Sequence, residues 1–258
     1  MLLRSLLFNL AFYLSTAAMA VLGLPVLLMS QRRGMAYGRS WAAGVLKLLH
    51  WCVGLTHEVR GWQNLPPGPA IIAMKHQSAW DTLAVPVVFG DPAIVLKREL
   101  MWIPLYGWYL WKAGMIPVDR GAGAGALKAM VRAGERAAAA GRRIVIFPEG
   151  TRTAVGARRP YQPGAAALYR QLGVPLVPVA VNSGVFWGRR QFVKRPGRIT
   201  FEILPPIPPG RERRVAMAEL EERIETATAR LVAEAQAGGA FEDNAVDRSS
   251  RPPGGTRA

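Results

Sequence analysis

Residues 70–89 read AIIAMKHQSAWDTLAVPVVF, and this stretch shows how the chain is built. The apolar run at its start predicts a short buried strand, and the apolar run from residue 79 to residue 89 predicts a helix. Ser78 is followed three residues later by Asp81, a pattern typical of the capping box that opens a helix. A strand that turns directly into a helix is the repeating unit of α/β proteins, so this stretch indicates an α/β fold.

The rest of the sequence repeats this alternation of short apolar runs and helical patterns. We therefore predict an α/β fold in which a mixed central sheet is flanked by helices, with a membrane-associated helical segment at the N-terminus. The predicted strands are residues 56–60, 70–75, 93–96, 115–118, 143–147, 175–181 and 199–204. The predicted helices are residues 79–89, 125–140, 164–172 and 212–237. In the last helix, one apolar face is expected to dock on the body, formed by Met217, Leu220, Ile224, Ala227 and Leu231.

The N-terminal segment is long and apolar, with no charged residue between positions 5 and 31. About 20 apolar residues of helix cover the hydrocarbon layer of a bilayer, so the segment is long enough to span it. A cleaved signal peptide is the alternative, because Ala18 and Ala20 resemble a cleavage site; the apolar VLGLPVLLM that follows favours a retained anchor. Whether the segment spans the bilayer or enters one leaflet is left open.

The residues after this segment set the expected orientation and the expected domains. Arg32 and Arg33 follow it, and this basic bias predicts that the rest of the chain lies on the cytoplasmic side of the inner membrane. Residues 35–55 predict a second helix at the membrane interface, with Trp41 and Trp51 at headgroup depth. We expect anchoring helices over residues 1–55, the main α/β domain over 56–237, and a disordered tail over 238–258.

Charge and cysteine content limit the possible functions. The net charge is +16, and it divides into +17 for residues 1–210 and −1 for residues 211–258. A basic body attracts phosphate, whether in nucleic acid, anionic lipid or phosphorylated small molecules. The aromatic and basic residues do not interleave as in single-strand binders, which argues against a nucleic-acid partner. Cys52 is the only cysteine, so a disulfide within the chain is excluded and a cysteine-based zinc site is disfavoured.

The strand-to-helix junction holds a candidate catalytic pair, His76 and Asp81. On one continuous helix these positions would lie about 140° apart, but a turn between strand and helix lets the side chains meet. Asp81 could then accept the Nδ1–H of His76 and leave Nε2 free as a base. The alternative is that Asp81 only caps the helix and the histidine is a bystander.

Other short motifs follow predicted strands. Residues 147–152 read FPEGTR, which is either an ordinary turn with a surface ion pair or an anion site built from glycine-freed amides and Arg152. GMIPVDR at residues 114–120 ends on Arg120, and LKREL at residues 96–100 contributes Lys97 and Arg98. VPLVPVAV at residues 174–181 is a proline-marked strand.

Taken together and in this order, H-x4-D, KREL, GMIPVDR, FPEGTR and VPVA resemble the membrane-bound glycerolipid acyltransferases, and most closely the 1-acyl-sn-glycerol-3-phosphate acyltransferases of the PlsC type. The resemblance covers roughly residues 35–210. That family usually has Asn-His where this chain has Lys75-His76. The departure leaves the catalytic residues in place and would alter the hydrogen bonding around the base.

The resemblance implies transfer of an acyl group from acyl-CoA or acyl carrier protein to the 2-hydroxyl of lysophosphatidic acid, at a membrane lipid surface. His76 would be the general base, oriented by Asp81. The implied acceptor-binding residues are Arg120, Glu149, Gly150, Thr151 and Arg152, with Lys97 and Arg98 as further anion-binding candidates. No cofactor is implied. The sequence has no G-x-S-x-G elbow and Cys52 lies in the second N-terminal helix, so direct transfer without an acyl-enzyme is expected.

Three alternatives stay open. The acceptor could be another lyso-lipid, such as a lyso-ornithine lipid. GAGAGA at residues 121–126 fits a dinucleotide-binding fingerprint, although residues 141–145, where a ribose-binding acid would be expected, read GRRIV. A non-catalytic membrane adaptor could also use the basic face.

Overall fold

The computed structural model describes residues 1–119, 121 and 123–238, and it contains a seven-stranded sheet with the strand order β1-β7-β6-β2-β5-β3-β4. The strands are β1 Leu55–Arg60, β2 Ile71–Met74, β3 Ala93–Lys97, β4 Ile116–Val118, β5 Ile144–Ile146, β6 Leu176–Val181 and β7 Gly197–Ile203. The helices are α1 Leu2–Leu22, α2 Gln31–Val53, α3 Ala79–Phe89, α4 Tyr106–Lys112, α5 Gly123–Ala139, α6 Pro163–Leu172, α7 Ser183–Phe186 and α8 Arg213–Ala237. The predicted α/β fold with a mixed central sheet is confirmed.

The pairing of the strands places the loops that matter on one edge of the sheet. Strands β2 to β6 are mutually parallel, β7 is antiparallel to β6, and β1 runs parallel to β7. The carboxyl ends of five strands therefore lie along the same edge, and this is where α/β sheets place reacting groups.

Helices cover both faces of the sheet. The three central strands β2, β5 and β6 are buried along their whole length, as expected for parallel strands packed on two sides. Successive residues of β2 point to opposite faces, with Ile72 packed in the cluster that includes α2 and α3, and Ile71 in the cluster that includes α5, α6 and α8.

The second helix departs from its predicted position. Residues 35–55 were expected to lie at the membrane interface with Trp41 and Trp51 at headgroup depth, but α2 starts earlier and buries Ala42, Val45 and Leu49 in the core. These residues are three and four positions apart, so they form one core-facing stripe on the helix. The charged residues around the stripe make it hard to recognise in the sequence. Trp41 packs against α1 and donates to Thr16 Oγ1 at 3.3 Å, whereas Trp51 is exposed.

Helix α1 is long and apolar enough to cross a membrane by length and composition. One of its faces nevertheless packs on the body, since Ser5 and Phe8 are fully buried. The opposite face is exposed and apolar, and it includes Leu3, Leu7, Leu10 and Leu14. The predicted disordered tail lies outside the described residues except for its first residue, Gly238.

Candidate active site

The turn between β2 and α3 brings His76 and Asp81 into contact. Asp81 Oδ2 lies 2.8 Å from His76 Nδ1 and also accepts the backbone amides of Gln77 and Ser78, each at 2.8 Å. Ser78 Oγ accepts the amide of Trp80 at 3.1 Å, which completes a capping box with Asp81. The cap and the histidine contact therefore coexist, because one carboxylate serves both.

The surroundings of the pair hold the imidazole in a single orientation. Asp81 is fully buried, and its second oxygen accepts the hydroxyl of Ser183, which follows strand β6. The His76 ring stacks on Phe147 with centroids 4.0 Å apart. An acceptor carboxylate at Nδ1 places the ring proton there and leaves Nε2 as the basic nitrogen. The His76 side chain is 11% exposed, so the ring is accessible only at its edge.

The turn after β5, residues 147–153, packs against the backbone of His76. Gly150 donates to the carbonyl of Phe147 at 2.9 Å and has a φ of 68°, a left-handed conformation that favours glycine. Glu149 Oε2 accepts the amide of His76 at 2.9 Å, and the amide of Thr153 donates to the His76 carbonyl at 2.7 Å. Both backbone polar groups of the histidine are thus bonded to this turn.

The carboxylate of Glu149 points into the protein. Its Oε1 lies 2.8 Å from Lys75 Nζ, and its side chain is completely buried. Burial raises the pKa of Glu149, and the ammonium of Lys75 opposes that shift. Glu149 was expected to help hold the acceptor, but its two oxygens face Lys75 and the His76 amide instead. The sequence pattern could not show this, because the ammonium that turns the carboxylate inward comes from a different strand.

The predicted binding residues in the turn after β5 and at the end of β3 lie along the same edge of the sheet. Gly150, Thr151 and Arg152 are half-buried in the turn after β5. Burial raises the pKa of the Tyr106 phenol on α4, and the charge of Arg152 opposes that shift to a smaller extent.

Lys97 ends β3 and Arg98 follows it; both are exposed, and each is paired with an acid. Lys97 Nζ lies 2.7 Å from Glu99, and Arg98 lies 3.2 Å from Asp119 at the end of β4. These pairs reduce the free positive charge at that point of the edge. Arg120, the remaining binding candidate, lies outside the described residues.

Three side chains at the site were not predicted from the sequence. Ser183 follows a strand that ends at the functional edge, so the position of strand ends could have suggested it. Lys75 is distinguished in the sequence only because the related family usually has asparagine at this position. Glu225 lies on α8 next to the predicted apolar face, and nothing in the helical pattern distinguishes it from a solvent-facing acid. Among residues 1–119, 121 and 123–238, no three His, Cys, Asp or Glu side chains gather as a metal site requires.

Comparisons with known proteins agree with this architecture. A solved structure of the 1-acyl-sn-glycerophosphate (LPA) acyltransferase PlsC from Thermotoga maritima superposes with a TM-score of 0.71 and 22% identity. The match covers 91% of this chain and 97% of that one, and it shows the fold.

Sequence comparisons identify the family. The family model described as Acyltransferase matches residues 56–182. The 1-acyl-sn-glycerol-3-phosphate acyltransferase of Pseudomonas aeruginosa is 36% identical over 196 residues, which is 76% of this chain and 76% of that protein. The mouse 1-acyl-sn-glycerol-3-phosphate acyltransferase alpha is 35% identical, over 63% of this chain and 59% of its own length. The chain therefore belongs to the acyltransferase family.

Proposed function

We propose that this acyltransferase transfers a fatty acyl group from a thioester donor to the sn-2 hydroxyl of 1-acyl-glycerol-3-phosphate, giving phosphatidic acid. The names of the relatives support this acceptor. The observation that carries the proposal is the contact between His76 Nδ1 and Asp81 at the carboxyl edge of the parallel strands. There Asp81 orients the imidazole through Nδ1, beside a turn that carries Arg152.

The reaction needs one base and no covalent enzyme intermediate. His76 Nε2 removes the proton from the 2-hydroxyl while that oxygen attacks the thioester carbonyl. The resulting imidazolium is stabilised by Asp81, whose carboxylate is already held by Gln77, Ser78 and Ser183. When the tetrahedral intermediate collapses, the C–S bond breaks and the proton passes from Nε2 to the departing thiolate. No cofactor takes part in this scheme.

Binding of the acceptor is assigned to the cations along the edge. Arg152 is the principal phosphate ligand in this proposal, because its guanidinium can bind phosphate in a bidentate manner. Lys97 and Arg98 extend the cationic edge, although the acids beside them weaken their attraction for a second anion. Arg120 is proposed as a further phosphate ligand on the basis of the sequence motif GMIPVDR alone. Glu149 shapes the turn rather than touching the acceptor. Gly150 and Thr151 present the turn to the glycerol end.

The donor is acyl-CoA or acyl carrier protein. Acyl-CoA carries phosphates, and the +17 charge of residues 1–210 suits such a donor. The same surface would attract an acidic carrier protein, so charge does not separate the two. A transfer assay with each donor in turn distinguishes acyl-CoA from acyl carrier protein.

We further propose that α1 lies along one leaflet of the inner membrane instead of crossing it. Near its start, Ser5 Oγ accepts the amide of Lys194 at 2.9 Å, and near its end the carbonyl of Ala20 accepts the hydroxyl of Tyr109 at 2.8 Å. When a helix crosses the bilayer, one of its ends lies about 30 Å from a domain on the opposite side, because the hydrocarbon layer separates them. Contacts at both ends therefore support a helix lying on the body, with its exposed leucines in the lipid.

The buried face of α1 also supports a retained segment over a cleaved signal peptide, because removing Phe8 would open the core. A second apolar surface adjoins α1. It consists of Trp102, Ile103, Trp108 and Trp111, all exposed, and we call it the aromatic patch. Tryptophan is favoured at the boundary between headgroups and hydrocarbon. In this proposal the body lies on the cytoplasmic side, and the basic residues Arg32 and Arg33 support that side because its leaflet carries anionic lipids.

The proposal is tested by an acyl-transfer assay on membranes that contain the wild-type chain or His76→Ala. Lysophosphatidate, a lyso-ornithine lipid and other lysophospholipids serve as acceptors, each with acyl-CoA and with acyl carrier protein thioester. We expect lysophosphatidate to be turned over fastest. His76→Ala should lower kcat by about 10²- to 10⁴-fold while the protein remains bound to membranes. Equal or faster turnover of the lyso-ornithine lipid would overturn the assigned acceptor, and an active His76→Ala would overturn the assigned base.

A further inference from the structure

We propose that Lys75 and Glu225 are positioning residues for the transfer reaction, acting on His76 through the carboxylate of Glu149. The inference rests on the proposed function and deepens it, since it adds a requirement for the C-terminal helix α8. The family model ends at residue 182, whereas Glu225 lies on α8, so the family match does not include this connection.

The first step is the ion cluster behind the site. Lys75 Nζ lies 2.8 Å from Glu149 Oε1 and 2.7 and 2.9 Å from the two oxygens of Glu225. Lys75 is 1% exposed, Glu149 3% and Glu225 8%, so water contributes little to holding these charges. Tyr161 donates its hydroxyl to Glu225 at 3.1 Å, and burial beside that carboxylate raises the pKa of Tyr161, which keeps it a neutral donor.

The second step connects the cluster to the imidazole. The same carboxylate that Lys75 holds by Oε1 accepts the His76 amide with Oε2. The ammonium of Lys75 fixes the carboxylate of Glu149. That carboxylate in turn fixes the backbone of His76, which is the residue after Lys75 in the chain. The amide of Thr153 on the His76 carbonyl completes the restraint. The position of the ring on Phe147 thus depends on Glu149 staying ionised and in place.

The third step is the charge balance, which predicts a pH dependence. Lys75 is one cation between two buried carboxylates, and its removal leaves both without their counterion. Burial raises the pKa of Glu149 and Lys75 lowers it, so loss of the ammonium raises that pKa further. A higher pKa means that Glu149 becomes protonated at a higher pH as the pH falls, and a protonated carboxyl is a weaker acceptor for the His76 amide. Lys75, the amide of His76 and Thr153 interact directly with Glu149. Glu225 shares the Lys75 ammonium with Glu149, and the charges of both carboxylates act on Tyr161.

A purely structural ion pair that ties α8 to the body is the competing explanation. A buried ion pair is weak evidence of a contribution to stability, and loss of one partner destabilises in either case. The two explanations differ in whether the pH profile and the local protection of the His76 amide change.

The variants are Lys75→Met and Glu225→Gln, and Arg142→Met is the matched control. Arg142 is also buried, lies next to Asp91, and donates to the carbonyls of Ala113 and Gly114. It precedes β5 and so lies at the opposite edge of the sheet from His76. We expect both site variants to lower kcat for lysophosphatidate about 10- to 100-fold, with a smaller change in KM, because the base is displaced rather than the acceptor site. The acidic limb of the kcat profile should move to higher pH in Lys75→Met.

Backbone hydrogen exchange, measured by mass spectrometry on the full chain in detergent, is the second readout. Peptides that cover residues 75–81 and 147–153 should exchange faster in Lys75→Met and Glu225→Gln than in wild type. Arg142→Met should lower the unfolding temperature, but it should neither speed exchange in these peptides nor move the acidic limb of the kcat profile. If Lys75→Met does not fold, Glu225→Gln, which keeps the side-chain volume, decides the question by the same measurements.

The outcomes separate this inference from the proposed function. A wild-type chain without transfer to lysophosphatidate refutes the proposed function, and the exchange measurement then still decides whether Lys75 restrains His76. An active wild type whose two site variants keep its kcat, its pH profile and its exchange pattern refutes the positioning role. A loss of activity that only tracks the unfolded fraction, as in Arg142→Met, refutes it as well.

Discussion

The carboxylate of Asp81 accepts hydrogen bonds from the His76 ring, from two backbone amides and from the Ser183 hydroxyl. It opens helix α3 and orients the imidazole at the same time, so capping and the proposed catalytic role are coupled in one residue. The cap and the contact with His76 depend on each other, because an Asp81 carboxylate that moves away from His76 also loses its bonds to the amides of Gln77 and Ser78.

Two substitutions separate the roles of this residue. Asp81→Asn keeps a polar side chain at the start of α3 and removes the charge that stabilises the imidazolium, so kcat should fall by about 10²- to 10⁴-fold. Ser78→Ala removes only the hydroxyl that caps Trp80; it should cost about 1 kcal/mol of unfolding free energy and leave kcat close to wild type. Steady-state kinetics and thermal unfolding measure both. Equal loss of kcat in the two variants would mean that the cap alone controls activity.

At the scale of elements, Lys194 connects α1 to the catalytic body. Its ammonium donates to Asn9 Oδ1 on α1 and to the carbonyl of Phe192, and it lies over the rings of Phe8 and Trp187. The side chain thus holds the first half of α1 against the segment that precedes β7.

This connection predicts a pH-dependent stability at alkaline pH. Burial lowers the pKa of Lys194 to about 8, below the value of about 10.4 expected in the unfolded chain. Between these values the unfolded chain binds more protons than the folded chain, so the free energy of unfolding contributed by Lys194 rises from pH 8 towards pH 10. Lys194→Met should remove this slope, as measured by denaturant unfolding in detergent at several pH values. A slope that is identical in the variant would show that another group causes it.

At the scale of the whole molecule, the fold brings two apolar surfaces next to each other. The exposed leucines of α1 form one, and the aromatic patch on α4 and the preceding turn forms the other. Tyr109 on α4 connects them through the carbonyl of Ala20.

The aromatic patch is expected to add to membrane binding. Replacing both Trp108 and Trp111 with Ser should weaken binding to vesicles of phosphatidylethanolamine and phosphatidylglycerol by at least about 10-fold, because the apolar area buried in lipid decreases. Sedimentation with vesicles measures this. Trp62→Ser is the matched control, since Trp62 is half-exposed and follows β1, whose end lies at the opposite edge of the sheet. Unchanged binding of the double variant would exclude the patch from the membrane surface.

Local patterns in the sequence determined the elements and the central contact of the site. All seven strands and the helices α3, α5, α6 and α8 lie within two residues of their predicted bounds, because hydrophobic periodicity and caps are encoded over a few neighbouring residues. His76 and Asp81 are only five residues apart, so a single turn brings them together. The family resemblance, which the comparisons confirm, rests on short motifs of the same kind.

Tertiary structure alone decided which charges face inward. Ser183 lies 102 residues from Asp81, and Glu225 lies 150 residues from Lys75. Glu149 faces the interior because Lys75 lies beside it. The position of Lys75 depends in turn on Glu225 of helix α8, which packs behind it. The core position of α2 likewise depends on α1 and α3 covering it. Burial and pairing of a charged side chain are properties of the elements that fold over it, and these come from distant parts of the chain.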